Sequence, residues 1–473
     1  MKEKNVAIKL LQLLTTVLLY YISGNNSLFL YASTLSLYNI FLSCFSHITL
    51  KETFKKINHN YSKFKILKYI SINITIICTL FILLSILIGD AVNIFLNIKD
   101  TFLPYLIMSL SIITEPIIKI LLEYLESYNK PKLSTNLLNV YYVLDSIFLL
   151  IISIVSINII KLPISISVSL LYISKILSFL IIFVIVFLIL KKLNINLIKT
   201  REEKKINYKY EIKEILKNDS HKSIIKLIKK SYYYISIIVL YAVLNRRYSY
   251  SIETIEKDIT FIYLYGIFII NFIIDITKLI TKRNYRKENI INYIYKIFQS
   301  ILTISIILGI TSPLICKIIF FSDNNSIYLM MLSLLSLPIL LFDTTYDYIK
   351  SKKVIYISLI VGIISKLILT VPLINSFYRI GYNLIYGDVI STIISMSISI
   401  IINYICIKIN NKSEKTLENI LVTLYENIIL CIILVLLQFI VPVKTDSYIK
   451  ALLTLILYIS ISIMFIKLKK KRG

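Results

Sequence analysis

Residues 164–206 read ISISVSLLYISKILSFLIIFVIVFLILKKLNINLIKTREEKKI, and the break at Lys191 decides the fold class. Up to Leu190 the stretch holds one charge, Lys175, and it exceeds the ~20 apolar residues that cross a bilayer. After Lys191 it becomes a run of Lys, Glu and Asn, as expected of a membrane helix leaving lipid on a basic face.

Working outward, the same alternation recurs along the chain. Apolar segments fall at 6–22, 28–50, 66–89, 101–125, 137–158, 164–190, 224–245, 259–280, 293–321, 327–349, 354–375, 382–407, 417–440 and 447–466. The expected fold is all-α, a polytopic membrane protein of about fourteen transmembrane helices. Every second connection is basic: one set of loops carries only Lys99, Lys161, Arg246, Arg247, Lys257, Arg379, Lys444 and Lys450, while the tails and the alternate loops hold most of the 53 Lys and Arg. The positive-inside bias therefore predicts both termini in the cytosol.

Composition excludes several functions. The net charge of +27 suggests nucleic acid, but its lysines flank lipid-facing segments rather than forming a separate basic domain, so attraction to an acidic leaflet explains it. Cys44, Cys78, Cys316, Cys406 and Cys431 lie in or beside apolar spans without paired spacing, and His47, His59 and His221 form no ligand cluster, so no disulfide, metal or cofactor is expected. With 8 glycines in the chain, no phosphate loop or nucleophile elbow is present, and an enzyme is not expected. The absence of Trp beside abundant Ile, Lys, Asn and Tyr reads as AT-rich coding rather than a functional demand.

The chain reads as four parts: a first six-helix bundle over 1–192, a basic linker over 193–222, a second six-helix bundle over 223–410, and a helix pair with a basic tail over 411–473. Apolar residues set among lysines between Tyr210 and Lys230 fit either an interfacial amphipathic helix across the end of the linker or a solvated linker. An internal repeat at an offset of 222 residues supports the two bundles, since Pro116, Tyr124 and Lys130 align with Pro338, Tyr346 and Lys352. Tandem bundles of this kind are a recurrent transporter architecture.

Charge at membrane depth is costly and marks candidate sites. Glu115, Lys119 and Glu123 share one helix face, Asp343 and Asp347 repeat that spacing, and Asp145 and Lys366 stand in other segments. Glu123, Asp347, Asp275, Lys278 and Lys175 lie near segment ends and are expected to snorkel. That leaves Glu115, Lys119, Asp145, Asp343 and Lys366 as candidate substrate-binding residues, joined by Arg246 and Arg247, which end the seventh segment against the charge rule. Cations of this set could hold a diphosphate while its acids hold sugar hydroxyls, or buried carboxylates could bind a coupling proton or sodium ion.

Leu50-Lys51-Glu52-Thr53-Phe54-Lys55-Lys56 resembles the basic-Glu-x-Phe-basic-basic signature after the second helix of the eukaryotic Rft-type oligosaccharide-diphosphodolichol translocation proteins, with lysines where arginines are usual. Glu115-Pro116, Lys230-Ser231-Tyr232, Arg247-Tyr248 and Gly381-Tyr382 are similar to family pairs in the same order, while Arg246 replaces a family Glu. The resemblance implies a member of the multidrug/oligosaccharidyl-lipid/polysaccharide exporter superfamily in the endoplasmic reticulum membrane. It would move the dolichol-diphosphate oligomannose intermediate for N-glycosylation, with Lys51, Glu52, Lys55 and Lys56 near the arriving diphosphate. Its partners would be that lipid-linked oligosaccharide and membrane lipid, with no nucleic acid. A bacterial-type flippase for lipid-linked polysaccharide or peptidoglycan precursor, and an ion-coupled small-molecule antiporter, are the alternatives. Sequons at Asn25 and Asn324 fall on the lumenal side in this topology.

Overall fold

A computed structural model describes residues 2–472 apart from 25–26, 46–59, 97, 99, 129, 193–219, 249–250, 282–289, 323–324, 350–351, 411–415 and 446. The signature at Lys51, Glu52, Lys55 and Lys56, the linker through Asp219, and Asn25 and Asn324 lie outside the described residues.

The described chain is helical, because a segment in lipid must satisfy every backbone amide within itself. Twelve helical stretches are long and apolar enough to cross a membrane, and two more apolar helices, Ala7–Ser23 and Phe29–Phe45, are shorter. All fourteen segments read from the sequence are thus found as helices. The large apolar side chains left outside confirm what solvent they face: in the sixth span Val184, Phe187 and Leu188 are each more than half exposed, which water would penalise and lipid does not.

Two compact units meet in sequence at Lys257 and Asp258. The first contains α1 (Lys2–Ser23, apart from its first residue), α2 (Phe29–Phe45), α3 (Asn60–Leu96), α4 (Phe102–Ser111), α5 (Thr114–Glu126), α6 (Pro131–Ser153), α7 (Ile164–Leu171), α8 (Ile173–Lys192) and α9 (Ser220–Tyr248). The seventh span, α9, packs against α2, so the first unit extends one span beyond the six-helix bundle expected at 1–192. The second unit takes the rest of α10 (Ile252–Thr260), then α11 (Ile267–Thr281), α12 (Ile290–Phe320), α13 (Ser326–Tyr348), α14 (Lys352–Ile380), α15 (Ile385–Asn410), α16 (Thr416–Ile440) and α17 (Tyr448–Arg472). The C-terminal pair belongs to it, because Leu430 and Leu434 of α16 with Ala451 and Tyr458 of α17 bury Leu314 of α12.

Local chemistry sets the breaks. Pro116 has no N–H for the carbonyl of Ile112 and its ring crowds that carbonyl, so the fourth span turns at Ile112–Ile113 between α4 and α5. Its repeat partner Pro338 lies inside an unbroken α13, so the two helices share a sequence pattern but not a break. Pro131 opens α6 at its first position, where a missing N–H costs nothing. Gly381, at φ 78°, ends α14 in the left-handed conformation, with its amide bonded to Tyr378 and that of Tyr382 to Phe377. A wider i→i+5 turn replaces α-helix at Ile154–Ile159 and at Phe261–Gly266.

Candidate functional site

Each unit encloses its own buried polar cluster. In the first, α5, α6 and α8 pack through Ile118, Leu122, Leu125, Leu137, Tyr141, Ile182 and Val186, and this apolar contact brings the charged faces of the same helices together. Lys175 on α8 reaches Asp145 on α6 at 2.9 Å, both side chains being 14% exposed. The other oxygen of Asp145 accepts from Ser174 at 2.7 Å, and the Lys175 ammonium also lies 5.2 Å over the Tyr38 ring of α2.

Lys175 therefore does not snorkel. It stands far enough from the segment end that the aqueous interface is a poorer partner than the carboxylate opposite, and a buried pair of this kind holds only while both members remain. Glu115 occupies the first turn of α5, where the positive end of the helix favours a carboxylate. Tyr38 donates to one of its oxygens at 3.4 Å and Tyr142 to the other at 3.3 Å. Close by, Tyr172 of the α7–α8 turn donates to Thr34 of α2 at 2.9 Å. Of the predicted residues, Glu115 and Asp145 thus join one network, while Lys119 and Glu123 follow on the half-buried face of α5.

In the second unit, Lys366 of α14 is 1% exposed. Its ammonium lies 2.6 Å from the Asp388 carboxylate, 2.5 Å from Thr392 Oγ1, and 3.1 Å from both Ser391 Oγ and the Asp388 carbonyl. Tyr263, carried on the i→i+5 turn after α10, donates to the second carboxylate oxygen. Asp343 of α13 pairs with Lys278 of α11 at 2.6 Å, the Lys278 side chain remaining 40% exposed in the last turn of its helix.

Arg246 and Arg247 end α9 exposed, with the Arg247 guanidinium 6.0 Å from the Tyr248 ring. Nearby, Glu253 takes Lys257 at 2.6 Å, and Asp258 takes Tyr328 and Asn383. Among the described residues no group of three or more His, Cys, Asp or Glu could hold a metal ion.

Sequence reasoning missed Asp388, Tyr263, Tyr38 and Tyr142. The signal for Asp388 was present, since Asp388, Ser391 and Thr392 share one helix face at spacings of three and four, and Lys366 and Thr370 do the same on α14. The tyrosines gave none, being lost among 36 of their kind.

No family model matches the chain, and no curated protein sequence matches it. Its fold, however, is shared with solved transporters. A multidrug resistance MATE family transporter of the MOP superfamily, inward-facing, is similar over 85% of this chain and 92% of that one, at 14% identity and a TM-score of 0.52. A MATE in complex with MaD5 is similar over 85% and 94%, at 13% identity and a TM-score of 0.50. The lipid II flippase MurJ, in an inward closed conformation, is similar over 100% of this chain and 98% of that one, at 15% identity and a TM-score of 0.69. The chain thus has the fold of a lipid II flippase along its entire length.

Proposed function

We propose that this protein moves a lipid-linked saccharide carrying an anionic head group from one leaflet of a membrane to the other. The observation that carries the reading is coverage: the likeness to the lipid II flippase takes in the whole chain, whereas the MATE likenesses take in 85% of it. Fold alone does not make function, and the residues add their own support. The chain concentrates cations on one side of its membrane segments, and its first unit holds an acid, hydroxyl and ammonium set suited to sugar hydroxyls and phosphate.

The finer reading is the dolichol-diphosphate oligomannose intermediate in the endoplasmic reticulum, with both termini cytosolic. It is supported by the signature at Lys51, Glu52, Lys55 and Lys56 and by Glu115-Pro116. Lysines flanking the membrane there would attract the diphosphate. Lys366 is left out of this head-group set because its ammonium is already saturated by oxygens of its own unit.

The test is expression in a eukaryotic cell depleted of its Rft-type protein, with the lipid-linked oligosaccharides weighed. The cytosol-made oligomannosyl intermediate is expected to fall and glycoproteins to recover, and the Lys51, Lys55 and Lys56 triple Gln variant is expected to lose this at unchanged protein level. If the pool does not move, while the chain instead sustains a bacterium lacking its lipid II flippase, the dolichol reading is refuted and the bacterial-type alternative takes its place.

A further inference from the structure

Two lysines are buried among the described residues, and their settings are opposite. Lys366 is saturated by oxygens of its own unit. Lys63, in the first turn of α3 and 8% exposed, has none: among the described residues no carboxylate, carbonyl or hydroxyl accepts from its ammonium. The group that faces it is the Tyr128 ring of the α5–α6 turn, with 5.1 Å between the ammonium and the ring centroid. Tyr128 is braced in turn, since its hydroxyl donates to that of the buried Tyr124 at 3.0 Å and the two rings meet edge to face.

A ring face offers an ammonium about 0.5–2 kcal/mol, whereas three N–H donors withdrawn from water without acceptors cost more than that. The setting therefore favours an anion, and its depth says which one. Lys63 stands three residues before the apolar segment that opens at Ile66, and Phe64 and Tyr69 of the same helix face outward, so the ammonium lies at the level of lipid head groups on the basic side. Lys68, Lys130 and Lys132, all exposed, add positive potential there, and Glu126, two residues before Tyr128, accepts from Ser134 at 3.3 Å. The abundant anion at that depth is phosphate esterified to a lipid, which a lysine binds as a point charge.

We propose that Lys63 and Tyr128 form a site for the phosphate of a lipid head group at the basic end of the first unit, with the ammonium as the binding group and the ring as its brace. A resident acidic phospholipid and the diphosphate of a lipid-linked substrate present the same chemistry at the same depth. The site is independent of which lipid the chain transports.

The full-length protein, purified in detergent and stripped of lipid, is titrated with dioleoylphosphatidylglycerol and with geranylgeranyl diphosphate. Each is set against its phosphate-free counterpart, dioleoylglycerol or geranylgeraniol, and bound lipid is counted by native mass spectrometry. Wild type is expected to take up a phosphate-bearing lipid saturably; tighter binding of the glycerol lipid marks a resident phospholipid, and tighter binding of the diphosphate marks the substrate. Lys63→Gln is expected to weaken that binding about tenfold or more, the loss of one charge-assisted hydrogen bond. Lys68→Gln removes the same charge from an exposed position and should weaken it less than about threefold. Lys63→Arg and Tyr128→Phe keep the cation and the ring face and should bind as wild type does. In lipid-free detergent Lys63→Gln is expected to melt no lower than wild type, because it removes a charge without a partner. If neither phosphate lipid binds better than its counterpart, if Lys68→Gln loses as much as Lys63→Gln, or if Lys63→Gln no longer folds in lipid-free detergent, the proposal is overturned.

Discussion

Replacing Lys175 by Met removes the cation from the first unit's buried network and leaves Asp145 with Ser174 alone. Both members of the pair are 14% exposed, so solvent screens little of the loss. An abandoned buried partner costs about 3–5 kcal/mol, and the 2.7 Å bond from Ser174 that Asp145 keeps sets the expectation at the lower end, about 3 kcal/mol. Pairing Lys175→Met with Asp145→Asn removes both charges and should restore most of this, with a coupling energy of about 2–3 kcal/mol. Two buried cysteines make the assay unit-specific: Cys78 lies in α3 of the first unit and Cys316 in α12 of the second, each at 0% exposure. In single-cysteine backgrounds melted with a thiol-reactive dye, Lys175→Met should lower the midpoint at Cys78 by about 6–12 °C. A Cys78 midpoint unmoved by Lys175→Met, or a double variant as labile as the two single losses added, would refute the pairing.

Four further expectations concern single sites. Gly387→Ala sets a methyl group against main-chain atoms of Leu373 and Ile374, which cannot swing aside, so it should cost about 3 kcal/mol or more, read as an early melt at Cys316. Gly266→Ala meets the Leu332 side chain, and Leu332→Ala in the same molecule should restore the melting point it loses. Leu434→Ala opens a cavity where α16 and α17 meet α12 and is expected to cost about 2–5 kcal/mol. Glu115→Gln leaves an oxygen for one tyrosine and removes the acid of the proposed head-group set, so lipid-linked saccharide transport in reconstituted vesicles should slow without being lost, whereas an unchanged saccharide flux with loss of a proton- or sodium-driven flux of small molecules would favour the antiporter.

Lipid is a demanding solvent, and that made the spans legible. It forces helix on any apolar run of sufficient length, so all fourteen segments were readable without packing knowledge. Side-chain pairing across helices was not. Lys175 counts as near an end only along its own helix, and nothing in the linear order announces that α6 brings Asp145 to meet it. Asp388 escaped notice for the opposite reason: it lies six residues into its segment, where a carboxylate looks cheap, yet α14 covers it completely. Pro116 and Pro338 read alike, yet the helix breaks just before the first and runs unbroken through the second.

The Lys366–Asp388 contact bears on how the chain is made as well as how it is held. A Lys alone at the centre of a nascent membrane helix, as Lys366 would be, raises its insertion cost by about 2.5–3.5 kcal/mol, and Asp388 in the first turn of α15 adds a smaller cost. Here each is the other's remedy, and only the short turn from Gly381 to Leu384 separates their helices. The segment 352–380 is thus poorly suited to leave the insertion machinery by itself and well suited to wait for 385–410 and enter lipid as a hairpin. A substitution at either residue would then act first during synthesis, by stranding a lone charge at the moment of membrane entry.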